Sequence, residues 1–334
     1  TVRAYGPARR RLQSPACTEP WLLYPPQAMQ PESDHPHHRP LLALGLRLAA
    51  ALVLAGLLAC VKLASERGIH LAEIMFWRQL PTIPILLGWF ALRRQLGTLK
   101  TARMGSHLRR SGFGMVGMTM NFGAATLLPL AVATTLNYSS AIFAVVLSAL
   151  VLREPTGVWR WSAVALGFTG VVVIAQPWGG ELPLLGAAIA LGAALMIALI
   201  SVQLRDLGRT EHPFTIVFYF SLFSVPVLAL AMPFVGQAHP LEDWLLLLAC
   251  GVIGLLGQVL LTAALRYGMV ANVIVMDYSG LVWATLFGWL VFSNLPPASF
   301  WIGAPLVVGA GLLIAWREHR LGLARRALAE PKEA

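Results

Sequence analysis

Leu136-Asn137-Tyr138-Ser139 returns 140 residues later as Met276-Asp277-Tyr278-Ser279, and the same shift superimposes much more of the chain. Gly114 falls on Gly254, Gly117 on Gly257, Ala131 on Ala271, Ala144 on Ala284, Leu150-Val151 on Leu290-Val291, Trp161 on Trp301 and Ile174-Ala175 on Ile314-Ala315. A gap-free match at that distance in a strongly apolar chain reads as a duplicated unit. Apolar composition alone produces some coincidences, but paired Gly, Tyr-Ser and Trp positions are harder to obtain by chance.

The surrounding composition says where such a unit resides. Apolar residues make up 57% of the chain and charged residues 12%, roughly half the charge of a soluble domain. The apolar residues stand in blocks of about 18 to 24 between short polar turns, the length that carries a helix across about 30 Å of hydrocarbon. They lack the period-2 alternation of a barrel wall. Spans are expected at 43–65, 71–91, 111–130, 132–152, 158–176, 182–204, 213–235, 243–264, 269–292 and 298–317. The fold class is therefore an all-α polytopic membrane protein with ten transmembrane helices. Residues 1–40 hold eight prolines and no apolar periodicity and read as a disordered tail. The expected organisation is a first repeat at 41–176 (spans 1 to 5), a second at 182–317 (spans 6 to 10), and a basic cytoplasmic tail at 318–334.

Charge orients the spans. The longest internal hydrophilic loop carries Arg93, Arg94, Lys100, Arg103, Arg109 and Arg110, and short loops rich in Lys and Arg stay in the cytoplasm. Every second loop continues the pattern, through Arg153 and Arg160, Arg205 and Arg209, Arg266, and then Arg317, Arg320, Arg325 and Arg326. The opposite loops carry Glu66 with Arg67, Glu181, Glu242 with Asp243, and an uncharged Ser293-Asn294-Leu295-Pro296-Pro297. Both termini fall in the cytoplasm. Five spans per copy is an odd number, so the second copy enters the membrane in the opposite sense. This is a 5+5 inverted repeat, the usual frame of a secondary transporter with its site between the halves. The net charge of +10 is spread over loop ends, which accounts for it by membrane orientation and not by nucleic-acid binding. Cys17, Cys60 and Cys250 form no ligand cluster.

Few ionisable groups fall at bilayer depth: Lys62, Arg78 and Asp277, with Glu73 nearer a helix end. Each costs about 2.5 to 3.5 kcal/mol on the insertion scale and needs water or a partner. Lys62 can snorkel to the outer interface. Arg78 offers a planar fork for a carboxylate or phosphate; the other reading pairs it permanently with Asp277. Asn137 and Asp277 take equivalent places before their Tyr-Ser pairs, so they approach the pseudo-twofold axis from opposite halves. Asn137, Asp277, Tyr138 and Tyr278 then form either a central binding site or a helix-to-helix hydrogen-bond layer. Trp77, Trp283 and Gln258 are further candidates for a cavity wall, while Gln203 and Asn272 lie close to span ends. No nucleotide-binding or metal-ligand spacing occurs, so no cofactor is expected; a proton gradient acting through Asp277 and facilitated diffusion both stay open.

The stretch from Leu136 to Gly170, running through Leu152-Arg153-Glu154-Pro155 to Gly167-Phe168-Thr169-Gly170, resembles the drug/metabolite transporter superfamily, EamA type. Arg78 resembles that family's basic position in the second span. The likeness extends over about 43–317 and weakens in the second copy, where Asn294 stands for Glu154 and Val307 with Ala310 for Gly167 with Gly170. It implies a bacterial inner-membrane carrier of small organic metabolites, often an exporter, active as a monomer and compatible with a homodimer, whose partners are its solute and membrane lipids. The competing functions are an integral-membrane enzyme, which needs convergent catalytic groups, and a sensor or scaffold, which needs a soluble domain to signal through.

Overall fold

The computed structural model describes residues 40–150, 157–179, 182–208, 210–267 and 275–329. The expected tail up to residue 39, the Arg153-Glu154-Pro155 turn, Glu181, Arg209 and Asn272 lie outside them. Span 1 is α1 (Pro40–Glu66), span 2 is α2 (Leu71–Gln79) with α3 (Thr82–Leu92), span 3 is α4 (Met104–Leu127), span 4 is α5 (Leu130–Asn137) with α6 (Ser140–Leu150), and span 5 is α7 (Val158–Ala175). Spans 6 to 8 are α8 (Leu184–Leu207), α9 (Pro213–Val235) and α10 (Leu241–Tyr267). A 3₁₀ turn at Val275–Tyr278 leads into α11 (Ser279–Phe292), span 9, and α12 (Ala298–Ala329) is span 10. Among the described residues, seven spans are long and apolar enough to cross a membrane, α5 and α6 taken together as one of them. Of the other three spans, one is divided, α4 carries His107, Arg109 and Arg110, and α11 has 14 residues.

The helix contacts obey the inverted repeat. Exchange of the halves turns the large α1–α10 contact into the α8–α4 contact, and α4–α9 into α10–α2. Spans 2 and 7, 4 and 9, and 5 and 10 touch their own mates, as elements on a twofold axis do. The glycines of the repeat do equivalent work. A side chain at Gly257 would strike Leu54 of α1, and one at Gly117 would press on Met196 and Ile200 of α8. Small residues let helices approach where lipid supplies little hydrophobic drive.

Five of the expected spans differ in detail. Span 2 divides at Leu80-Pro81, because Pro81 has no N–H for the Trp77 carbonyl. Gly251 of α10 fits against this kink: a Cβ there would stand 2.8 Å from Pro81 Cγ and 3.0 Å from Trp77 O. Span 4 tightens at Tyr138-Ser139, where the Tyr138 N–H is shared between Thr134 O and Thr135 O. Span 9 makes its 3₁₀ turn at the matching Asp277-Tyr278, where the Ser279 hydroxyl donates to Met276 O at 2.7 Å. Such back-bonding competes with the helical ladder, and a tight turn within a span marks a hinge or a site. Span 3 begins at Met104 and not near 111, so Arg109 and Arg110 belong to a helix. Aromatic rings of α9 make this possible: the His107 ring lies 4.6 Å from that of Tyr219, and the Arg110 guanidinium 4.4 Å from the Phe220 ring. At the C-terminal end α12 continues past 317 to Ala329, with Arg320 placed over Trp316 one turn back at 4.7 Å.

Candidate functional site

Two polar clusters lie between the halves. The first is built by α1, α5 and the turn into α11. Arg47 clasps the Asp277 carboxylate through both Nε and Nη2; its side chain is 9% exposed and that of Asp277 36%. A planar guanidinium on a carboxylate is the strongest common form of ion pair. Tyr138 Oη donates to the Asp277 carbonyl at 2.7 Å, and the Tyr138 and Tyr278 rings meet 4.8 Å apart at 62°. Both hydroxyls need glycine opposite them. A Cβ at Gly280 would stand 2.9 Å from Tyr138 Oη, and one at Gly311 would fall on the Tyr278 hydroxyl. Asn137 donates to Asn121 Oδ1 of α4, and its own Oδ1 is buried without a partner.

Spans 2, 3, 7 and 8 build the second cluster. Arg78, 8% exposed, donates to Gln79 Oε1 at 2.8 Å and Met118 Sδ at 3.1 Å, and its guanidinium stands 5.4 Å from the Phe122 ring. Gly254 leaves it room, since a Cβ there would be 3.2 Å from Arg78 Nε. Arg78 and Arg110 face one small cavity together with Gln79, Thr82, Val217, Phe220, Gly254 and Gln258.

Of the two readings of Arg78, the pairing with Asp277 does not occur, because Arg47 occupies that carboxylate and Arg78 belongs to the second cluster. Asp277, Tyr138 and Tyr278 are brought together; Asn137, one residue from Tyr138, turns to Asn121. Trp77 packs edge-on against Trp244 at 5.0 Å, and Trp283 is half-buried; the indole N–H of each is buried without an acceptor. Lys62 is 6% exposed and donates to Leu128 O at 2.7 Å, where α4 ends, so the ammonium is held by protein and does not snorkel. Sequence reasoning missed Arg47, which lies about two turns into α1, and Arg110, which reads as a loop residue.

Each end of the bundle carries an Arg–Asp and a His–Glu pair between the halves. At one end Arg67 donates to Asp243 at 2.8 Å, and His239 Nε2 lies 3.0 Å from Glu73 Oε1. At the other, Arg103 pairs with Asp206, His107 Nε2 lies 3.8 Å from Glu211, and Thr101 donates to Glu211 at 2.6 Å. The first set joins the turn after span 1 and the start of span 2 to the start of span 8. Its counterpart joins the starts of spans 3 and 7 and the end of span 6, which is the same arrangement under exchange of the halves.

Two oppositely inserted five-span units with matching hinges and polar groups between them define a secondary transporter of small molecules. The profile of the EamA-like transporter family matches residues 41–176 and 184–316, and the chain belongs to that family. It is a multi-pass membrane transporter. It is similar to the riboflavin transporter of Vibrio cholerae, at 30% identity over 81% of this chain and 92% of that one. It is also similar to the pseudopaline exporter of Pseudomonas aeruginosa, at 34% identity over 82% and 97% respectively. A solved crystal structure has the same fold at 20% identity, with a TM-score of 0.56 over 82% of this chain and 96% of that one.

Proposed function

We propose that the chain exports an amphipathic organic solute, amino-acid-like or of similar polarity, by alternating access between the units at 41–176 and 182–317. The observation that carries this reading is the Tyr138–Asp277–Tyr278 layer. Equivalent turns of the two halves contribute to it, so a rocking of one half against the other remakes the layer as well as opening one end. Discontinuous spans at the repeat interface are where transporters of this architecture hold their solute. Asp277 and Arg47 offer one group of each sign to a zwitterion, which exchanges their mutual contact for contacts with its own amine and carboxylate. Tyr138, Tyr278 and Trp283 supply apolar wall and hydrogen-bonding tips. Asn137, Arg78 and Trp77 complete the polar and aromatic lining as the halves move. The paired clamps at the two ends suit alternating access, since closing one end forms its ion pairs and opening it breaks them. Relatives named as an exporter and as a riboflavin transporter agree with organic cargo and support placement in a bacterial inner membrane.

Purified chain in sealed vesicles, challenged with a mixed pool of metabolites, is expected to deplete or accumulate organic solutes. Movement restricted to inorganic ions would rule the reading out. A monomer contains both halves of the site and suffices for transport.

Orientation has its own test. With both termini cytoplasmic, Arg94→Cys labels only from the cytoplasmic side and Gln237→Cys only from the outside, each read against the labelling of the unsubstituted chain. Both side chains are exposed. Reversed labelling of the two positions contradicts the orientation.

A further inference from the structure

Among the described residues, Arg78 and Arg110 meet no carboxylate. They come from spans 2 and 3 and face one cavity of about 40 Å³ whose remaining lining is Gln79, Thr82, Val217, Phe220, Gly254 and Gln258. Among the described residues no carboxylate lines it. Arg78 Nε, Gln79 Nε2, and Nε and Nη1 of Arg110 are buried without an acceptor. The acceptors that Arg78 has are a neutral amide and a thioether, and Arg110 rests on the Phe220 ring. Glycines open the space for both, as a Cβ at Gly114 would lie 2.9 Å from Arg110 Nη1 and one at Gly254 3.2 Å from Arg78 Nε.

The geometry points to a dianion site: Arg78 and Arg110 together take the doubly charged end of an organic solute, a phosphate monoester or two neighbouring carboxylates, while Gln79 and Thr82 add neutral hydrogen bonds. A guanidinium only donates, so water fills hydrogen bonds here without removing the repulsion between two like charges. A neutral ligand leaves both charges uncompensated, and a single carboxylate leaves one. The cavity is large enough for an oxyanion group and too small for a whole metabolite, so the remainder of the solute projects out of it. This inference rests on the transport reading and narrows its cargo to solutes with a doubly anionic end.

The test uses the full chain, purified in an uncharged detergent, with malonate and inorganic phosphate as probes against acetate and chloride at equal ionic strength. Thermal midpoints are expected to rise saturably with malonate or phosphate and not with acetate or chloride. Arg78→Gln and Arg110→Gln are expected to weaken the apparent affinity at least fivefold, with Arg110→Lys retaining part of it. Without any probe, Arg110→Gln is expected to melt no lower than the unsubstituted chain, since it removes an unpaired like charge; a structural role for Arg110 would lower it. A rise matched by acetate, a loss of affinity below fivefold, or a lower unliganded midpoint each overturns the site. Repeating the titration in nanodiscs with phosphatidylglycerol tells a solute site from a lipid headgroup site, because disappearance of the malonate effect there assigns the cavity to lipid and overturns the solute assignment. Vesicle flux separates the two readings: probe binding without flux of any metabolite removes the transport reading alone, while unimpaired flux of doubly anionic solutes through Arg110→Gln removes the site alone.

Discussion

Asp277→Ala is expected to lower the stability of the folded protein by about 3 kcal/mol or more, and adding Arg47→Met is expected to restore most of that loss. The single change leaves a guanidinium buried with no counter-ion, and breaking one partner of a buried pair typically costs about 3 to 5 kcal/mol, whereas replacing both by apolar groups is often neutral. The lower end applies because the Asp277 side chain is 36% exposed and that of Arg47 only 9%. Thermal or denaturant unfolding of the two single variants and the double variant closes a double-mutant cycle. Strict additivity would show that the pair contributes nothing, since contacting groups in such a cycle normally couple by about 0.5 to 3 kcal/mol. The double variant also separates fold from transport. Its stability returns while both charges are gone, so a folded protein without flux is the expected outcome. Full flux would remove Arg47 and Asp277 from the solute's path. Comparison with Asp277→Asn across pH addresses coupling, because an unchanged pH dependence of flux in that variant excludes Asp277 as the proton site.

The spans, the inverted repeat and the meeting of Tyr138 with Tyr278 were legible in the sequence because they depend on distance along the chain. Apolar length against bilayer thickness sets the first, and a constant offset of 140 residues sets the second. The charge partnerships were not legible. Arg47 and Asp277 are 230 residues apart, and pairing them needs the rotation of α1 against the turn into α11, which no periodicity carries. Arg110 was hidden for a different reason. A basic residue near a span end reads equally well as a loop anchor, and only the aromatic face of α9, with Phe220 beneath the guanidinium, lets it sit within the helix. The division of span 2 shows an intermediate case, in which Pro81 marks a weakened ladder but the fitting of Gly251 against it depends on where α10 lies.

Gly170→Val and Gly303→Val are each expected to prevent assembly of a stable bundle, at a cost above about 3 kcal/mol, beyond the usual range for overpacking a core with extra methylenes. The two glycines are where α7 and α12, the fifth spans of the two halves, come backbone to backbone. A Cβ at Gly170 would stand 2.8 Å from the Gly303 carbonyl oxygen and 2.9 Å from Leu306 Cβ, and one at Gly303 would stand 2.5 Å from Ile174 Cγ1 and 2.7 Å from the Gly170 carbonyl oxygen. A flexible side chain can move aside, but a helix backbone yields only if the whole helix shifts. Lipid tails give little reward for keeping separated helices close, so the lost packing is not recovered elsewhere. Gly309 on the same α12 is the control. A Cβ there meets nothing within 4 Å, so Gly309→Ala is expected to be neutral or to stabilise by up to about 1 kcal/mol through helix propensity alone. Fluorescence-detected size exclusion after graded heating reads all three variants on one scale. If Gly170→Val and Gly303→Val elute and melt like Gly309→Ala, the α7–α12 crossing is not a close backbone contact between the halves, and a looser association of these two helices has to replace it.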